Sequence, residues 1–111
     1  MASVAHFDVH GADSDESELH GFYGGLLGWE IDVKGPGYAL VRTPEGSPDG
    51  AIVGSGGRGF VMGVTVDDLD AAVAHVVELG GSVEMPPTDN GWVVKSSVRD
   101  PAGNLLTLIQ A

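Results

Sequence analysis

The sequence predicts an α+β fold made of two βαβββ modules, and three observations carry that expectation. Short runs rich in Val, Ile and aromatic residues recur between turn signals along the whole chain. One segment in each half carries helical spacing instead. Leu27-Gly28-Trp29-Glu30-Ile31 and Leu79-Gly80-Gly81-Ser82-Val83 occupy corresponding places in two halves of similar plan.

In the first half, VAHFDV reads as a strand and DSDESELHGFYGGLL as the helix that follows it. Asp13 or Ser14 is the expected cap, and Asp15, Glu16 and Glu18 suit the positive end of the helix dipole. Gly21, Gly24 and Gly25 each cost up to about 1 kcal/mol relative to Ala, so tertiary contacts through Leu19, Phe22, Tyr23 and Leu26 are expected to hold this helix. Gly28 ends it, and WEIDV, YALVRT and AIVG supply three strands, the last two separated by the turn-rich PEGSPDG.

The second half repeats the plan. FVMGVTV is a strand, and Asp67 is expected to cap a helix whose Leu69, Ala72, Val73, Val76 and Gly80 follow the i, i+3, i+4, i+7 pattern. SVEM resumes extended structure, PPTDNG reads as loop, WVVKSSV as strand, DPAGN as a tight turn and LLTLIQ as the last strand. The expected organisation is one domain over 1–111: module one over about 4–54, a glycine-rich hinge at 54–59, and module two over about 60–110. Neither module buries its sheet face alone, so the two are expected to pack together or against another chain.

Composition narrows the function. Sixteen acidic residues against five basic ones give a net charge of −11. That balance lacks the clustered Lys and Arg that nucleic acid or an anionic membrane requires. The acidity serves solubility, and it also suits a cationic or polar-amine ligand. There are no cysteines, which removes thiol catalysis, disulfides and Cys-based zinc sites. No run approaches the roughly 18 apolar residues of a membrane span, and MASVAHFDVH lacks the basic and apolar regions of a secretory signal. A cytoplasmic protein is the expectation.

The most informative run is HFDVH. In a strand it puts His6, Asp8 and His10 on one face and Phe7 and Val9 on the other. The polar face meets either bulk water or a lined cavity. Residues i and i+2 lie roughly 6.6 Å apart, so His6 with Asp8, or Asp8 with His10, can share an ion, whereas His6 and His10, about 13 Å apart, cannot. His is also the side chain suited to proton transfer near neutral pH.

These pieces together resemble the vicinal oxygen chelate superfamily, the glyoxalase, bleomycin-resistance and extradiol-dioxygenase group. The resemblance rests on the strand opening with His6, the helix end FYGGLLGW, the segment VTVDDLDAAVAHVVELGG and the terminal VRDPAGNLLTLIQ, which cover nearly the whole chain. It implies that the paired modules form a curved, cup-shaped mixed sheet, helices outside, around a small-molecule site, and that the protein is a homodimer. In metal-using relatives four ligands point into the cup. Carried over, the first position is His6, the second falls within Ala51–Val53, the third is Val61 and the fourth Thr107. Only His6 can bind a metal, so neither a metal nor another cofactor is expected.

The remaining candidates are fewer. Trp92 follows the Asn90-Gly91 turn signal and is placed to stack on a planar ligand or to serve an edge or dimer contact. Tyr38 and Arg42 share a strand face with Leu40, and periodicity leaves open whether that face is the cup. Phe60 opens its strand. His10 near its strand end and His75 on the second helix read as solvated positions, and His20, sharing a turn with Glu16, reads as a surface pair. The GxGxxG within Gly54–Gly59 leads into a strand, not a helix, so it is a hinge and not a dinucleotide fingerprint; Ser55 lacks a nucleophile elbow.

The function expected is metal-independent binding of a small organic molecule, of the resistance type that sequesters an antibiotic or other metabolite, with His6, Asp8, Thr107, Trp92, Tyr38 and Val61 as contacts. The alternative is a lyase, isomerase or epimerase using His6 and Asp8 as an acid/base pair or as a reduced metal site. A second alternative is a structural dimerisation module whose cavity is filled by apolar residues such as Val61 and Ile52.

Overall fold

The structure is a computed structural model that describes residues 2–11, 16–54 and 57–111. Its elements are β1 (Ser3–Gly11), α1 (Glu16–Leu27), β2 (Glu30–Gly35), β3 (Tyr38–Arg42), β4 (Asp49–Gly54), β5 (Gly59–Val66), α2 (Leu69–Glu78), β6 (Ser82–Asp89), β7 (Val94–Arg99) and β8 (Leu105–Gln110). This is the predicted α+β order, β-α-β-β-β twice. The chain divides into two compact units, His6–Val61 and Met62–Ala111 with Met1–Ala5. The expected cap at Asp13 or Ser14, the Asp15 carboxylate and the centre of the hinge at Ser55 and Gly56 lie outside the described residues.

In the unit His6–Val61 the strand order is β2-β3-β4-β1. β1 runs parallel to β4, with His6 opposite Asp49 and Val9 opposite Ile52, and the other pairs are antiparallel. Alternation along β1 does what the sequence predicts. Val9 joins Ala39, Val41 and Ile52 in a core packed by Phe7, Leu19, Tyr23, Trp29 and Ile31. Trp29 stacks on Tyr23 at 6.2 Å and meets Phe7 at 5.6 Å.

α1 is held more narrowly than the sequence predicts. Leu19 and Tyr23 reach the core, but Phe22 and Leu26 are 58% and 66% exposed. All four follow the i, i+3, i+4, i+7 spacing of one face, so the helix does present them together, but the core reaches only the Leu19–Tyr23 side of that face and leaves the Phe22–Leu26 side uncovered. Gly28 ends α1 as expected, at φ +70° with its N–H donating to the Gly24 carbonyl at 3.0 Å.

The other unit orders its strands β5-β8-β7-β6, with β5 parallel to β8. Leu69, Val98 and Leu108 form its core, packed by the predicted Ala72, Val73 and Val76 of α2. Two boundaries differ from the sequence reading. Asp68, not Asp67, is the α2 cap: its backbone is extended and its carboxylate accepts from Ala71 N–H at 3.1 Å. The Gln110 side chain completes that cap, accepting from Leu69 N–H at 2.8 Å and donating to the Asp67 carbonyl at 2.7 Å. β6 runs through Pro86 and Pro87 to Asp89, where a loop was expected: β6 is the last strand of this order, and its pairing with β7 is irregular between Met85 and Thr88, where the two prolines sit. The DPAGN turn forms as expected. Asp100 accepts from Ala102 and Asn104 N–H, and the Asn104 amide donating to its carboxylate holds its pKa below the usual carboxylate value.

Gly50 sits against the Phe7 ring, and a methyl added there would overlap it. Gly50→Ala is therefore expected to lower stability by about 1–3 kcal/mol, the usual cost of overpacking. Equilibrium urea unfolding checks this, and Phe7→Leu in the same chain is expected to recover part of the loss.

Candidate functional site

The face of the His6–Val61 sheet opposite α1 is assembled by strand register. His6, Asp8 and His10 of β1 stand beside Asp49, Ala51 and Val53 of β4. Val53 and Ala51 stand beside Tyr38 and Leu40 of β3, and Leu40 stands beside Asp32 of β2. Cross-strand partners share a face, so three rows result. One runs His10–Val53–Tyr38, the next Asp8–Ala51–Leu40–Asp32, and the third begins His6–Asp49. Arg42, opposite Glu30, continues Tyr38 and Leu40 along the same face of β3. Tyr38 and Arg42 thus share the face of His6 and Asp8.

Within it, His6 Nε2 lies 3.0 Å from Asp8 Oδ1, with side chains 32% and 24% exposed. A carboxylate offers only acceptors, so the tautomer that makes this contact a hydrogen bond donates from Nε2 and leaves Nδ1 as an acceptor. His10 and Leu40 are half-buried and Tyr38 is exposed at 39%. Ala51 is fully buried between its neighbours. The surface is thus Leu40 and Val53, over the fully buried Ala51, bordered by His6, Asp8, His10, Tyr38 and Arg42.

Asp49 is the residue that sequence reasoning missed. It stands directly across from His6, but its Oδ1 accepts from Thr43 N–H at 2.9 Å and lies 3.4 Å from the Thr43 hydroxyl. Only the β1–β4 register reveals this neighbour, and no local motif marks it.

The donor set does not fit the metal that the resemblance implies. At the second position Ala51 and Val53 carry hydrocarbon side chains, and Ile52 faces the α1 core. Val61 is buried, and Thr107 offers a hydroxyl between Gly63 and Ser97. His6 has already committed Nε2 to Asp8. No group of three or more His, Cys, Asp or Glu among the described residues is placed to hold an ion.

The other candidates fall elsewhere. Thr107 lies on the face of β8 away from α2. Trp92 is 91% exposed on the turn between β6 and β7, beside a depression reaching Val94 and Gln110 on the opposite side of that sheet. The structure does not bring Thr107 and Trp92 together. Phe60 is 70% exposed at the start of β5. His75 is solvated as expected, 3.2 Å from Glu78, whereas the His20 Nε2 is buried without a hydrogen-bond partner among the described residues, not in a surface pair as the sequence reading has it.

The chain belongs to the Glyoxalase/Bleomycin resistance protein/Dioxygenase superfamily, whose family model matches residues 4–108. It is 33% identical over 115 residues to the putative glyoxylase CFP32 of Mycobacterium bovis and, equally, of Mycobacterium tuberculosis; the match takes in 88% of this chain and 42% of those proteins. The chain therefore spans less than half the length of these curated relatives. Among solved structures, a superfamily member from Vibrio splendidus 12B01 matches with a TM-score of 0.72 at 18% identity, covering 100% of both chains. An extradiol ring-cleaving dioxygenase from B. fuscum matches with a TM-score of 0.73 at 20% identity, covering 96% of this chain and 32% of that one. At such identities the likeness concerns the fold.

Protein purified without chelator and desalted is expected to hold well under one equivalent of divalent metal by elemental analysis. A stoichiometric ion would contradict the donor argument.

Proposed function

We propose that the protein is a metal-independent binder of a small organic molecule, and that the ligand lies on the helix-free face of the His6–Val61 unit. The observation that carries this reading is the placement of His6, Asp8 and Tyr38 around the half-buried Leu40 and Val53. Such a surface, hydrophobic at its centre with a few oriented polar groups at its edge, is the usual make-up of a small-molecule site. Asp8 supplies a negative charge, and the net charge of −11 adds a field that draws in cations, so a cationic antibiotic or amine-bearing metabolite is the class favoured. Val61 is a further contact in this reading, which takes the working form to be a cytoplasmic homodimer. The exposed Phe22 and Leu26 of α1 support pairing with a second copy. No described helix is long and apolar enough to cross a membrane.

A second reading rests on the His6–Asp8 contact. With Nε2 anchored by Asp8, Nδ1 of His6 is the atom that takes or returns a proton, and a lyase, isomerase or epimerase needs such a group. The names of the matched relatives, a putative glyoxylase and a ring-cleaving dioxygenase, place catalysis within reach of this superfamily.

Isothermal titration with a panel of cationic antibiotics and amines tests the first reading. At least one is expected to bind, and Asp8→Asn to weaken it about ten-fold or more, as loss of a charged hydrogen-bond partner does. Absence of binding at millimolar ligand, or equal binding by the variant, would contradict it. His6→Ala separates the readings: turnover lost with binding retained supports the enzyme, and binding lost without any turnover in the parent supports the binder.

A further inference from the structure

Trp92 stands on a turn whose backbone N–H groups are already engaged. Asp89 Oδ1 accepts from Gly91 N–H at 2.8 Å, and Asn90 Oδ1 accepts from the N–H groups of Trp92 and Val93, each at 2.9 Å. The Asn90 N–H in turn donates to the Val93 carbonyl at 3.1 Å. The turn is therefore fixed by its own side chains, and the indole contributes little to holding it, being 91% exposed. Beside it lies a shallow depression of about 340 Å³ lined by Asp89, Gly91, Trp92, Val93, Val94 and Gln110.

The chemistry of that lining is selective. Its backbone N–H groups at Gly91, Trp92 and Val93 are spent on Asp89 and Asn90, and the Gln110 amide is spent on Leu69 and Asp67. Apart from the indole N–H it offers an incoming molecule no side-chain donor, which disfavours phosphate and carboxylate. What it does offer is an aromatic face, a valine wall, and the second oxygen of Asp89, for which no cationic partner is recorded among the described residues. A primary ammonium would lose several water hydrogen bonds here and regain few. A quaternary ammonium has none to lose, and is held by the aromatic quadrupole and a nearby negative charge.

We propose that the Trp92–Asp89 depression binds the quaternary ammonium head of a small organic cation. This site is independent of the His6–Asp8 reading and stands or falls on its own. The preformed turn means that binding orders no backbone, and the acidic surface raises the local cation concentration.

The probe is choline, compared with its uncharged isostere 3,3-dimethylbutan-1-ol, at constant ionic strength and with sodium chloride as control. Tryptophan fluorescence of the whole protein reads Trp92, because the other tryptophan, Trp29, is packed against Phe7 and Tyr23. Choline is expected to give a saturable change, the alcohol to bind about five-fold more weakly or not at all, and Asp89→Asn to weaken choline by about three-fold or more. By isothermal titration, Trp92→Leu is expected to lose choline binding while circular dichroism remains that of the parent. Equal response to the alcohol, or to sodium, would overturn the proposal. So would undiminished binding by Trp92→Leu. A fluorescence change that follows protein concentration rather than choline would assign the indole to contact with a second copy, and would overturn it too.

Discussion

The parallel pairing of β1 with β4 is the constraint on which the rest of the first unit depends. Phe7 lies over Gly50 and Val9 beside Ile52, and burying that side against Leu19 and Tyr23 leaves one orientation for β1. The polar residues have no say in it. Because side chains alternate strictly along a strand, the same burial that draws Val9 inward turns His6, Asp8 and His10 outward together. A slip of one residue would put both imidazoles and a carboxylate into the α1 core, at a desolvation cost that no partner there offsets. The glycine at position 50 protects the register, since it leaves room for the Phe7 ring.

The face that results keeps the scaffold of its superfamily and changes the chemistry. Metal-dependent catalysis needs several donors converging on one point, and here the strand positions that the resemblance assigns to ligands carry Val61, Thr107 and the hydrocarbon residues of β4. The surviving histidine is turned to a different partner, its neighbour Asp8. What remains is a surface of mixed polarity with His6 held by Asp8, and it is on this surface that the proposed recognition of a small molecule rests.

Much of this was legible in the sequence, and the exceptions share a physical cause. The two βαβββ halves, the outward set of β1, the stripe of α2 and the DPAGN turn all follow from short-range periodicity or local hydrogen bonding, which a sequence displays. The face of Tyr38 and Arg42 and the position of Asp49 depend on which residue pairs with which across strands far apart in the chain, and no single run encodes that. Phe22 and Leu26 were expected in the core because they share a helix face with Leu19 and Tyr23; the core covers only the Leu19–Tyr23 side of that face, and how far a sheet extends under a helix is not written in the helix's own sequence. β6 continues through two prolines because its place at the end of the strand order relaxes the rule that excludes proline from sheets. Gln110 completes the α2 cap from the far end of the chain, a contact of high sequence separation that propensity does not register.

The central claim, that the helix-free face of the first unit receives the ligand, is tested most directly by methyl-labelled NMR during titration of a bound cation. Ala51, Leu40 and Val53 line that face, while Val9, Val41 and Ile52 lie on the α1 side of the same strands and serve as internal controls. The account predicts shifts concentrated at Leu40, Ala51 and Val53, with the His6 and Tyr38 ring resonances moving alongside them. Shifts confined to Val9, Val41 and Ile52, or to Leu106 and Leu108 of the other unit, would contradict it.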